Sequence, residues 1–350
     1  MKDLLEEPAF VVGARTYTWR DVLTAAILRG DWSNLEQQTR EGLALVAQAD
    51  EEGTRPSEEA IEAAAQEFRY ERELITAEEM EAWLARFDIS VDDWMDYVER
   101  SLLRQSSRES DAVDEGQSEH EDIAGYVAAE AACSGALADF ARKLAGRAAI
   151  AERAAAEKLE DGGAPSLEDL SAARGEVAAA FERLEIVPPT EETVSELARL
   201  ELEFEAYSRR LATPAAVAAQ IEAHRLDWIR LDVFSLSFQE ESAAREAWLC
   251  LEEDGVSLQE VAASAHVPVE RAQLYLSELD AAARPSLLSA RPGELVGPLA
   301  FGDRFHLFLL HDKFSPSQEN PEVRRRAEEA LAQKVVDQEL AARVRWPAPV

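Results

Sequence analysis

The 350-residue chain is poor in the residues that build cross-linked or metal-centred proteins, with two cysteines, five histidines and three methionines. Cys133 and Cys250 stand far apart with no C-x-x-C spacing, which excludes a disulfide framework or a zinc cluster and suits a reducing compartment. Basic residues are scarce beside acidic ones: 36 Lys and Arg against 70 Asp and Glu give 36 − 70 = −34. Such a surface repels a phosphate backbone and an anionic bilayer, so neither a nucleic-acid nor a membrane partner is expected. No apolar run approaches the roughly 20 residues that a membrane span needs. The start, Met1-Lys2-Asp3-Leu4-Leu5-Glu6-Glu7-Pro8, lacks a cationic segment followed by an apolar one, and a cytoplasmic location is the expectation. No P-loop, G-x-G-x-x-G, G-x-S-x-G or H-E-x-x-H pattern occurs, so no cofactor and no metal site is expected.

What the chain does have is apolar residues at helical spacing, 47% hydrophobic in all. Thr18 with Asp21, Ser33 with Glu36, Thr76 with Glu79 and Ser90 with Asp93 carry capping-box spacing, and Ser57 opens a further helix. Gly30 and Gly53 close the first two helices, and residues 10–16 form a short extended segment before them. These five helices define an N-terminal helical domain, residues 1–108. Residues 109–122 hold seven acidic residues and no lysine or arginine, the composition of an acidic linker or loop. A helical middle region, 123–226, begins with the Ala-rich stretch 123–160, a long helix or helical hairpin. It continues after the turn Asp161-Gly162-Gly163-Ala164-Pro165 and the break at Val187-Pro188-Pro189.

At Trp228 the texture changes. Ile229 to Phe238 is a β-branched and aromatic run that predicts a strand. Helices are predicted over 240–253 and 257–265. Residues 267–275 are expected as a loop. Two strands, 295–299 and 305–311, are predicted to meet at the turn Phe301-Gly302-Asp303-Arg304. This α+β segment covers 227–316. A C-terminal helix, 317–350, is capped by Asn320 with Pro321 in its first turn, and Leu331, Val335, Val336, Leu340 and Val344 give it a broad apolar face. Trp83, Trp94 and Trp248 fall at core spacing, whereas Trp32 and Trp346 are expected nearer the surface. His306 and His311 are five residues apart and point to opposite faces of one strand, so they do not chelate one metal. Cys250 and Cys133 are expected as small core residues, and His120 belongs to the acidic linker.

The segment Trp228–Phe314 resembles the parvulin (PpiC-type) peptidyl-prolyl isomerase domain. The resemblance is carried by Asp254-Gly255-Val256-Ser257-Leu258 with Val261-Ala262, by Arg291-Pro292-Gly293-Glu294-Leu295-Val296-Gly297-Pro298-Leu299, and by Phe305-His306-Leu307. Residues 10–105 resemble the N-terminal helical region of SurA-like chaperones through Val12-Gly13, Ser57-Glu58-Glu59 and the run Leu84…Ile89-Ser90…Tyr97…Arg100. The resemblance implies a mainly α fold with a small α+β parvulin-like domain, the helical module being completed by the C-terminal helix.

Parvulins place two histidines face to face on adjacent strands, with a Met and a Phe lining the proline pocket. His306 falls on the second histidine position. Residues 230–238 contain no histidine, and Asp232 or Ser235 lies nearest the first position. The pocket aromatic is replaced by Leu287 or Leu288, and no methionine occurs in this domain. The expectation is a degenerate member of the family. It is a chaperone-like protein that binds an extended peptide or unfolded polypeptide through Phe234, Leu287, Leu288, Phe301 and His306, without isomerase activity. Relatives among accessory factors of ribosomally made peptide natural products imply a precursor held for modifying enzymes. Two alternatives stand beside this: an active isomerase using His306 with Asp232, and a homodimeric scaffold built on the apolar face of the last helix.

Overall fold

The structure, a computed structural model, describes residues 4–109, 123–158, 166–301 and 304–347. The acidic stretch 110–122 with His120, the turn at 161–165 and residues 302–303 of the strand turn lie outside the described residues. The described chain is mainly α, with a small α+β portion near its end. In order it runs β1 (Pro8–Val12), β2 (Arg15–Thr18), α1 (Trp19–Leu28), α2 (Asp31–Glu52), α3 (Glu58–Glu71), α4 (Ala77–Phe87), α5 (Val91–Glu109), α6 (Ala124–Cys133) and α7 (Ala136–Ala156). Then follow α8 (Leu167–Arg183), α9 (Glu191–Leu211), α10 (Pro214–Ala223), β3 (Arg230–Phe238), α11 (Glu241–Glu252), α12 (Leu258–Ala265) and β4 (Glu270–Tyr275). The chain closes with α13 (Arg284–Ser289), β5 (Leu295–Phe301), β6 (Arg304–Phe314), α14 (Pro321–Arg343) and β7 (Val344–Arg345). Two compact units result: Met1–Arg210 with Gln333–Val350, and Leu211–Ala332.

In the first unit, local chemistry sets the helix starts. Thr18–Asp21 and Thr76–Glu79 form reciprocal capping boxes, and Ser57 accepts the amide of Ala60 at 3.2 Å. The second helix begins at Asp31, two residues before the expected Ser33, because Gly30 adopts φ 76° and turns the chain straight from one helix into the next. The same device at Gly135, φ 82°, divides the Ala-rich stretch into α6 and α7. Trp32, expected near the surface, is 1% exposed, and its indole donates to Glu36 at 3.1 Å. The second half of α14 completes this unit. Val336 packs at Gly146, Asp337 pairs with Arg142 at 2.7 Å and Glu339 with Arg153 at 2.8 Å. Just beyond α14, β7 adds to β1 in a sheet of order β2-β1-β7.

The second unit is a four-stranded antiparallel sheet of order β4-β3-β6-β5. Residues 270–275, read as loop, form the edge strand β4. Their alternation of Ala272 and Leu274 with exposed Arg271 and Gln273 has a period of two, and the strand pairs with β3 from Arg230↔Tyr275 to Ser235↔Glu270. One sheet face packs Leu231, Val233, Phe308 and Leu310 on Leu276, Leu279, Leu287 and Ala290. The other packs Leu236, Phe238 and Leu307 on α11 and α12 through Ala244, Ala247, Leu258 and Val261. A third cluster, Val217, Ile221, Trp228 and Tyr275, receives Val323 and Ala327 from the first half of α14.

Candidate peptide-binding site

The pleat sorts the sequence-predicted residues onto two faces. Ser235, Ser237 and His306 share the face of Leu231, Val233 and Phe308, whereas Asp232, Phe234 and His311 share the opposite one. Across the β3–β6 ladder His306 stands opposite Ser237, and Phe308 stands opposite Ser235; on β5 the partner of His306 is Leu299. The imidazole lies parallel to the Phe308 ring, with centroids 5.5 Å apart and planes 9° apart. On this face His306 is the half-buried group, and Ser235, Ser237 and Phe308 are buried beside it.

Asp232 does not join His306. It lies five positions along β3 from Ser237, a separation of roughly 17 Å at strand rise, and its ladder partner is Asp312 of β6. Its carboxylate accepts two hydrogen bonds from Arg271, at 3.1 Å from Nε and 2.7 Å from Nη2. Those bonds from the guanidinium hold the carboxyl below the usual carboxylate range. Phe234 lies beside the same pair, with the Arg271 guanidinium 5.7 Å from its centroid and His311 edge-on at 5.7 Å. Arg271 lies in the stretch expected as a loop, and no motif in the sequence marks it.

Leu287 and Leu288 divide as well. Leu287 is fully buried in the core and offers no surface to a peptide, while Leu288 is 36% exposed. Phe301 is the last residue of β5, paired with Arg304; its side chain lies outside the described residues. Sequence reasoning also missed Lys313. Its ammonium donates to the carbonyls of Leu287, Leu288 and Ala290 at 3.1, 2.7 and 2.8 Å, fastening the C-terminal end of α13 to β6. Burial pulls its amine below the ordinary lysine range.

Other candidate chemistry is sparse. Among the described residues no group of three or more His, Cys, Asp and Glu is placed to hold a metal ion, and no helix is long and apolar enough to cross a membrane. Cys133 is buried, with its thiol pushed up to about 12 by desolvation, and Cys250 is half-buried. The first unit contains a groove of about 570 Å³ lined by Leu45, Ala49, Ala60, Leu102 and Leu103.

No protein-family model matches the chain, and no curated protein matches it. The solved structures it resembles include the peptidylprolyl isomerase PrsA of Bacillus anthracis, with 12% identity, TM-score 0.33, and coverage of 56% of this chain and 94% of that one. The foldase PrsA of Lactococcus lactis is 9% identical at TM-score 0.30, covering 60% of this chain and 85% of that one. A SurA-like chaperone structure from Campylobacter jejuni is 10% identical at TM-score 0.19, covering 79% and 96%.

Proposed function

We propose that the chain is a chaperone-like protein that holds an extended polypeptide on the His306 face of the second unit without accelerating prolyl isomerisation. The observation that carries this reading is the pairing of His306 with Ser237. Rotation about an X-Pro bond faces a barrier of about 18–20 kcal/mol. The half-buried imidazole offers a hydrogen bond to a peptide backbone, but with buried Ser237 opposite it the site lacks the paired imidazoles with which parvulins act on the twisted amide. The sheet also has two edge strands, β4 and β5, to which an extended chain can add by main-chain hydrogen bonds. With 70 acidic against 36 basic residues, the surface favours a basic or weakly charged client. In its finer form the proposal places the protein in the cytoplasm, holding a ribosomally made precursor for modifying enzymes. The alternative of a dimeric scaffold needs a free apolar face on α14, but Val336 and Leu340 are buried.

The test is a titration of the full chain with labelled extended peptides blocked at both ends, beside a protease-coupled assay on X-Pro peptides. Saturable binding, weakened by His306→Ala, with isomerisation at the uncatalysed rate, is the expected result. Absence of saturable binding overturns the proposal, and a rate above background replaces it with the isomerase alternative.

A further inference from the structure

The sheet of the second unit ends on one side at β4 and on the other at β5, and the two edges are not equivalent. β5 contains Pro298, which has no N–H to offer. Its ladder with β6 slips between Val296 and Leu299, where Gly297 takes φ 137°. A proline and a bulge both blunt an edge against further pairing. β4 has neither. Its register with β3 runs without a shift over its 6 residues, roughly 20 Å of chain.

The register decides which main-chain groups face outward. The amide of Leu276 donates to the carbonyl of Ile229, so Leu274 and Ala272, two and four positions earlier, exchange hydrogen bonds with Leu231 and Val233. Arg271 and Gln273 belong to the alternate set, and their N–H and C=O groups point away from β3. The amide of Tyr275 shares that direction and is taken by the Glu278 carboxylate at 3.0 Å, which closes the run at that end. Ala272 and Leu274 are half-buried against the core, so an added strand would extend an apolar face there.

A charged side chain on an edge strand ordinarily hinders a further chain from pairing. The basic residue of β4 is Arg271, and its guanidinium is folded back over β3, bidentate on the Asp232 carboxylate and 5.7 Å from the Phe234 ring centroid. With that charge neutralised, β4 keeps the negative charge of Glu270, which favours a basic residue in the strand alongside.

We infer that the β4 edge takes a proline-free extended segment of another polypeptide as a further strand, its aliphatic residues alternating with small polar ones and a basic residue at the end beside Glu270. This occupant rests on the reading that the chain holds extended polypeptides, with the main-chain grip on β4 rather than at His306.

The probe is acetyl-Lys-Val-Thr-Val-Thr-Val-Lys amide, titrated calorimetrically into the full chain, and saturable binding is expected. Two analogues carry backbone N-methyl groups, one on its threonines and the other on its valines. Only one alternate set of amides can face β4, so one analogue should bind about tenfold or more weakly and the other as the parent does. Loss with methylated threonines means an antiparallel strand, and loss with methylated valines a parallel one. Gln273→Pro removes an outward N–H without removing a donor to β3, and should also weaken the parent about tenfold or more. Exchanging both lysines of the probe for glutamates should weaken it further at low salt. No binding of the parent, equal effects of the two methylation patterns, or indifference to Gln273→Pro overturns the edge site. An affinity that falls with His306→Ala but ignores methylation and Gln273→Pro overturns the edge and leaves the His306 reading standing. One that follows methylation and Gln273→Pro upholds the edge whatever His306→Ala does.

Discussion

A β-carbon placed on Gly146 would stand 2.8 Å from Cγ1 of Val336, so α7 and the second half of α14 approach as closely as they do because no side chain intervenes. Val336 is β-branched and cannot swing its methyl groups aside freely. Gly146→Ala should therefore destabilise the protein by about 1–3 kcal/mol, the usual cost of overpacking, despite the helical preference for alanine. Gly175, exposed in α8, has nothing within 4 Å of the same construction. Gly175→Ala should stabilise by about 0.5–1 kcal/mol. Urea unfolding of the two variants separates them by sign, and a stabilised Gly146→Ala would refute the close approach.

Lys313 makes three hydrogen bonds to carbonyls at the end of α13, the helix that carries the exposed Leu288. Lys313→Met keeps the stem and removes the donors. The expected cost is about 1–3 kcal/mol. Local opening should show first as faster hydrogen exchange at the amides of Leu287 and Ala290, which bond within this turn to Ala283 and Ser286. Unchanged exchange there would mean that α13 is held by its apolar packing alone.

Much of the helical framework was legible because its signals are local. Thr18, Ser57, Thr76 and Asn320 cap helices where their spacing to the next polar residue says they should. Three strands were legible from their apolar and aromatic runs, although those expected at 295–299 and 305–311 extend to 295–301 and 304–314. Strand β4 was not, since charged and polar residues alternate with only Ala272 and Leu274. What makes it a strand is the offered edge of β3, a non-local partner. The site suffered from the same limit. His306 could be placed by motif, but its partner Ser237, the capture of Asp232 by Arg271 and the burial of Leu287 all follow from register and face, which only the assembled sheet decides.

Cys133 illustrates how burial alone silences a nucleophile. Its thiol is pushed up to about 12 by desolvation, so the thiolate is scarce at neutral pH and reagents cannot reach it. In the native protein an aromatic disulfide reagent at pH 8 should modify Cys250, which is half-buried, and leave Cys133 unreacted until the chain unfolds. Counting released chromophore before and after adding guanidinium checks this. Two equivalents released rapidly under native conditions would contradict the burial of Cys133.

Glu130 of α6 is 2% exposed and lies between two arginines of α5. Arg104 donates to its Oε1 at 2.6 Å, and Arg100, also 2% exposed at its side chain, has Nη2 at 3.8 Å from Oε2. Arg100 also lies 5.1 Å from the Tyr126 ring, and its desolvation pulls the guanidinium below its ordinary range. Arg104 keeps 18% of its side chain in solvent and can rehydrate if the carboxylate is lost, whereas Arg100 cannot. Glu130→Gln should therefore cost about 3–5 kcal/mol, most of it the charge stranded on Arg100. Replacing both groups, Arg100→Met with Glu130→Gln, removes the stranded charge and should cost less than the single change despite altering more of the core. Denaturant unfolding of the single and double variants measures the difference. A double variant less stable than Glu130→Gln would show that Arg100 is held by its packing on Tyr126 and not by the charge of Glu130.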